Sequence, residues 1–206
     1  MLLKNRFFTV DKSYGPKEIK EKGSRFISYS FHITSKEEAT SIIKDLNKKY
    51  HDATHVCFAY RLGNGKELYF RYNDNGEPGG TAGLPIYKEI KAKDYYNVLI
   101  TVIRYYGGIK LGTGGLTRAY AQSARKILDS SKKISVLIRR SASIFFPFDF
   151  TGEIMQIINH YSINIYKQNY LSNGVNMVLL IPEEIFNEID KMISDKSKGK
   201  VKLKPK

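Results

Sequence analysis

The sequence has no apolar run long enough to cross a bilayer. Its uninterrupted apolar stretches are short, Ile144–Phe146 among them, whereas a helical span needs roughly 18 to 20 residues. The start of the chain has Lys4, Asn5 and Arg6 where a secretory signal would be apolar, so a cytoplasmic location without a membrane partner is expected. Cysteine is nearly absent. The single Cys57 excludes an internal disulfide, and its place in the apolar run Val56–Tyr60 points to a packed strand position rather than a reactive thiol. Acidic residues are scarce, 20 against 34 Lys and Arg, for a formal charge of +14. The shortage is local: residues 1–140 hold 26 basic and 13 acidic residues, residues 141–195 hold two and seven, and the tail from Lys196 has six lysines and no acid. A basic, acidic, basic chain suits a polyanion partner, and a composition biased toward Lys and Asn gives the same count.

Several catalytic signatures are also missing. No G-x-S-x-G elbow is present, and the four histidines, His32, His51, His55 and His160, lack metal-ligand spacing. Gly107 and Gly112 have Walker A separation, but Thr113 stands where that loop needs Lys. The glycine spacing is not a Rossmann fingerprint either. No catalytic residue, metal or cofactor is expected.

What is present reads as two α+β domains, 1–133 and 134–206. In the first, Ile27, Tyr29, Phe31 and Ile33 alternate with Ser28, Ser30 and His32, the pattern of a strand with one buried face. Ser35 and Glu38 suggest a capping box for an amphipathic helix ending near Tyr50. Strands are expected at Thr54–Leu62 and Glu67–Tyr72 across a turn at Gly63–Lys66, then at Val98–Tyr106. The segment Asn73–Pro85 is a shaped loop, with a short helix over Ile86–Lys91, and a longer helix follows Gly115 and ends before Ser130. In the second domain a strand (Ile134–Phe148), helix (Thr151–Tyr161), two strands (Ile163–Leu171 and Val175–Ile181), helix (Glu183–Ser194) and strand (Val201–Leu203) make a βαββαβ, ferredoxin-like order. Lys198, Lys200, Lys202 and Lys204 would share one face of the last strand, guarding an edge or offering a polyanion stripe.

Two constellations stand out. The turn Gly107, Gly108, Ile109, Lys110, Leu111, Gly112, Thr113, Gly114, Gly115 joins a strand to a helix, where glycines let backbone N–H groups approach an anion. Arg104, Lys110 and Arg118 flank it as phosphate clamps, although the glycines also suit a merely tight connection. The other is His55 with Asp74 and Glu77, joined by Arg61 and Thr81 as further candidates. Carboxylates in such a turn usually cap backbone N–H groups, and on a strand His55 and Cys57 would point to one face.

Gly23–Ile27, Ala53–His55, Ala59–Arg61, Asp74–Pro78, Gly80–Ile86 and Arg104–Tyr120 together resemble the motifs of the IMPACT/YigZ family. Asn75 stands where an acid is usual and Gly79 where Ser is usual, which weakens a paired-acid or metal role. The resemblance implies a left-handed β-α-β first domain like domain IV of elongation factor G, and a second like that factor's ferredoxin-like domains. Eukaryotic members act by protein contact, restraining a kinase that controls translation initiation under amino-acid starvation. Fold likeness alone transfers no task. The expectation is a translation-linked protein that docks structured RNA or a ribosomal surface without catalysis. The alternatives are a hydrolase cleft near His55, Asp74 and Glu77, and a module that recognises a regulatory protein.

Overall fold

The structure, a computed structural model, describes residues 6–63 and 68–205. Among the described residues the chain divides into two compact units, Phe7–Val136 and Leu137–Pro205, the latter also taking in Arg6.

The first unit runs β1 (Arg6–Val10), β2 (Tyr14–Glu21), β3 (Ser24–His32), α1 (Lys36–Lys49), β4 (His55–Leu62), β5 (Tyr69–Asn73), α2 (Gly83–Ala92), β6 (Val98–Tyr105), α3 (Gly112–Ser130) and β7 (Lys133–Leu137). Its sheet has the order β2-β3-β6-β4-β5 and is antiparallel throughout. β6 is central because Val98–Ile103 has no exposed residue to spare, as a strand covered on both faces requires. α2 and α3 cover one face, where Ile86, Ile90, Leu116, Tyr120 and Ile127 meet Cys57, Ala59, Ile100 and Val102. α1 covers the other with Ala39 and Leu46.

Local chemistry accounts for the element ends. Ser35 Oγ accepts the Glu38 amide at 3.1 Å, and Glu38 reaches back to the Thr34 amide at 2.8 Å, so the box closes one residue earlier than expected. β3 is buried on both faces rather than one. Ser28 and Ser30 are 1% and 0% exposed, because these small hydroxyls lie on the α3 face, where Ser30 Oγ meets Ser131 Oγ at 2.7 Å. α2 begins at Gly83, three residues before the expected start. Asp74 makes this possible: its carboxylate accepts the amides of Gly80, Ala82 and Gly83 at 2.8–2.9 Å. The expected turn at Gly63–Lys66 falls largely on residues outside those described.

The expected strand over Ile134–Phe148 is two. β7 ends at Leu137 and pairs with β1 in a separate two-stranded sheet, and β8 (Arg139–Phe146) opens the second unit. That unit continues with α4 (Thr151–His160), β9 (Asn164–Leu171), β10 (Gly174–Pro182), α5 (Phe186–Lys196) and β11 (Lys204–Pro205). The order β11-β8-β10-β9 puts the first and third strands in the centre, the ferredoxin-like arrangement. Ile154, Ile157, Ile189 and Ile193 pack on Ile144, Phe146, Met177 and Leu179. The lysine stripe does not form along a strand: Lys198 sits at φ 51 in a turn, and β11 is only two residues long. Among the described residues no helix is long and apolar enough to cross a membrane.

Candidate functional site

Strand register assembles a cleft at one end of the first sheet. His55 on β4, Arg104 on β6 and Phe26 on β3 are direct neighbours in adjacent strands. One step inward, Cys57 pairs with Val102. The loop after β5 folds over this row and brings in Glu77, and α3 crosses it and brings in Tyr120. The resulting cleft, about 400 Å³, is lined by Thr54, His55, Glu77, Arg104, Lys110 and Thr113, with Pro78, Tyr106 and Leu116.

Glu77 is the hub. Its side chain is 2% exposed and that of Arg104 7%. Arg104 Nη1 donates to Glu77 Oε1 at 2.6 Å and Tyr120 Oη donates to the same oxygen at 2.8 Å. Burial, first among its causes, drives the Tyr120 hydroxyl far above its ordinary pKa, so it stays protonated as a donor. Arg104 Nη2 reaches Ser24 Oγ at 3.3 Å, and the same hydroxyl accepts the Gly107 amide at 3.2 Å. Removing two charges from water is tolerated here because the pair is close and further bonded.

His55 lies 4.0 Å from Glu77 Oε1 through Nε2. Its Nδ1 is 2.7 Å from the Asn75 carbonyl oxygen. A carbonyl only accepts, so Nδ1 carries a proton and donates it, which turns Nε2 toward Glu77 and the cleft. Cys57 does point the same way as His55, but its Sγ lies 3.0 Å from the Asp74 carbonyl oxygen and 3.4 Å from Tyr120 Oη. Burial pushes its pKa up to about 12, which leaves almost no thiolate at neutral pH.

The glycine turn divides into two parts. Gly107 is required by contact: a Cβ there would stand 1.9 Å from the Gly23 carbonyl carbon, and Gly108 holds φ +85. α3 begins at Gly112, so Gly114 and Gly115 belong to its first turn rather than to the connection. That first turn has no side-chain cap and no acid, leaving its N–H groups to water or to a ligand. Lys110 lines the cleft beside it, and Arg118 is exposed one turn further on.

The structure revises what the candidate residues can do. Arg104 is not a free clamp, because its charge is already matched by Glu77. Asp74 caps α2, and Thr81 Oγ1 donates to the Pro78 carbonyl at 2.7 Å, so both shape the loop. Arg61 is away from the cleft. Six residues along β4, it lies buried 3.9 Å over the Tyr96 ring and donates to the Tyr95 carbonyl at 3.2 Å. Tyr120 and Ser24 were missed as site residues. Tyr120 falls on the apolar stripe of α3 and reads as core, and only its hydroxyl betrays a polar task. Among the described residues no group of three His, Cys, Asp or Glu could hold a metal ion.

Known proteins resemble this chain along nearly its whole length. The Impact N-terminal domain matches residues 22–128. A Bacillus subtilis IMPACT family member, YvyE, is 31% identical over 198 residues, covering 96% of this chain and 90% of the relative. A Haemophilus influenzae IMPACT family member is also 31% identical, covering 94% of each. A crystal structure of a hypothetical protein superposes with a TM-score of 0.74 at 25% identity, covering 98% of both chains. With the Impact N-terminal domain matched over residues 22–128 and relatives 31% identical along nearly the full length, the chain belongs to the IMPACT family.

Proposed function

We propose that this chain is a translation-linked binding protein that docks structured RNA or a ribosomal surface at the mouth of the cleft, without catalysis. The observation that carries the reading is the uncapped start of α3, free of acids and flanked by Lys110 and Arg118. Neither cation takes part in an ion pair among the described residues. Amides at a helix N-terminus with two unpaired cations beside them favour a phosphate. The link to translation rests on family membership, and the excess of basic residues up to Arg140 supplies a wider attractive field.

The test is binding of the purified chain to ribosomes and to a short RNA hairpin across a salt series, with Lys110→Gln/Arg118→Gln beside the wild type. Each phosphate neutralised contributes about 0.9 to the log–log salt slope on a duplex. The variant is expected to bind more weakly and to flatten that slope by roughly 2. Absence of binding at low salt sinks the reading.

His55 supports a second reading. Its Nε2, which makes no hydrogen bond among the described residues, faces a cleft whose rim holds Lys110 and the start of α3, the geometry of a base beside an anion-stabilising group. A hydrolytic activity lost in a folded His55→Gln variant would favour it over simple docking.

A further inference from the structure

β5 lies at the edge of its sheet, and all five of its residues are exposed. Phe70 and Tyr72, 46% and 40% exposed, project on the α2 side, where Tyr87 joins them. Phe70 and Tyr87 stack at 4.7 Å with 23° between planes, Phe70 and Tyr72 lie 6.5 Å apart at 14°, and Tyr72 and Tyr87 lie 5.9 Å apart at 32°. Phe70 and Tyr72 thus meet solvent beside the half-buried Tyr87. The exposed charges that α2 sets beside them have one sign: Lys88 and Lys91 follow Tyr87 by one residue and by one turn. Neither is in an ion pair among the described residues, and the acid of α2, Glu89, is bound by Arg125 at 2.7 Å. Arg71, between the two rings in sequence, points to the opposite face of the strand, where it pairs with Tyr60.

A ligand that fits must offer flat apolar faces and negative charge at short intervals. We infer that the Phe70, Tyr72 and Tyr87 cluster is a stacking platform for an unpaired, single-stranded segment of RNA. This deepens the docking reading and rests on it. A duplex does not fit, because its base faces are already covered by each other, whereas an unpaired base gains by stacking on a ring. A second copy of the chain is disfavoured: antiparallel pairing of β5 with itself about its centre sets Arg71 against Arg71, and like charges directly opposite destabilise a sheet. β5 ends at Asn73, where the loop carrying Glu77 into the cleft begins. A structured RNA held by phosphates at the cleft would thus have its loop or tail gripped in the same unit.

The experiment compares wild type, Phe70→Leu/Tyr72→Leu and Lys110→Gln/Arg118→Gln on two labelled probes, a 12-nucleotide oligouridylate and a blunt RNA duplex. Leucine keeps apolar bulk at exposed sites, and circular dichroism checks the fold. The ring variant should lose at least fivefold in affinity per ring on the single strand and stay within twofold of wild type on the duplex. In the wild type, 4-thiouridine in the single strand should crosslink to Phe70, Tyr72 or Tyr87, a readout that needs no variant. If the single strand binds equally well to the ring variant and crosslinks elsewhere, the platform is overturned while the docking reading survives. Failure of both probes to bind wild type overturns both. Concentration-dependent dimerisation abolished by the ring variant, or protection of the β5 amides by an acidic peptide with no effect of RNA, also overturns the platform, because the edge then serves a protein strand.

Discussion

Neutralising Glu77 should unfasten the first unit, and the size of the effect follows from its position. The carboxylate is 2% exposed and is the partner of a guanidinium that is itself 7% exposed. In Glu77→Leu, Arg104 keeps its charge but loses its counter-ion, retaining the Ser24 hydroxyl and the flanking Phe26 and Tyr106 rings, and Tyr120 loses its acceptor. Removing one partner of a buried pair costs about 3–5 kcal/mol. The converse change, Arg104→Met, strands the carboxylate and should cost a similar amount. In the double variant no charge is left unpaired, so its cost should fall below that of either single change, a coupling of more than about 3 kcal/mol. Urea titrations of the full chain followed by amide exchange in β6 separate the first unit from the second, which need not unfold with it. Single changes that each cost under about 1 kcal/mol, or a double variant equal to their sum, would refute the account of a mutually dependent buried pair.

Two further outcomes follow from neighbouring groups. Cys57 should resist iodoacetamide at pH 8 in the folded chain and react in urea. With its folded pKa raised to about 12 from an ordinary 9.0, the thiol's contribution to stability is intact below pH 9 and is lost as pH climbs from 9 toward 12, because only the unfolded thiol then ionises. A Cys57→Ala variant with the same alkaline loss would contradict that assignment. Asp74→Ala removes the acceptor of three amides at the start of α2 and should cost about 2–3 kcal/mol. Thermal melting of the variant, with Asp74→Asn retaining part of the loss, checks it.

The elements legible in the sequence were those with strong periodicity and local punctuation. α1 announced itself through Ser35 and its apolar spacing, and the ferredoxin-like order through alternating runs separated by turns. β1 and β2 were not visible. β2 carries Lys17, Glu18, Lys20 and Glu21, charges that guard an edge and at the same time erase the apolar alternation by which a strand is recognised. β1 finds its partner more than 120 residues away, which no local pattern encodes. In the site, the cleft loop and the glycine turn were located from their composition. The fate of Arg104 was not, because its partner Glu77 comes from a loop 27 residues earlier and meets it only through strand register. The exposed rings of β5 were unreadable for a similar reason: an aromatic in an edge strand and one in a core strand look alike until the sheet order is known.

The sheet edges of the two units are protected unequally. β2 is lined with alternating charge and β5 is only five residues long with Arg71 at its centre, but β9 exposes all eight of its residues with a single lysine and leaves Tyr166 and Tyr170 at 74% and 72% exposure. A long bare edge of this kind templates further strands. On storage at high concentration, fibrillar association should start in the second unit rather than around the cleft. A lysine introduced at Tyr166 should suppress it without touching any residue of the first unit, which offers a practical route to a well-behaved sample.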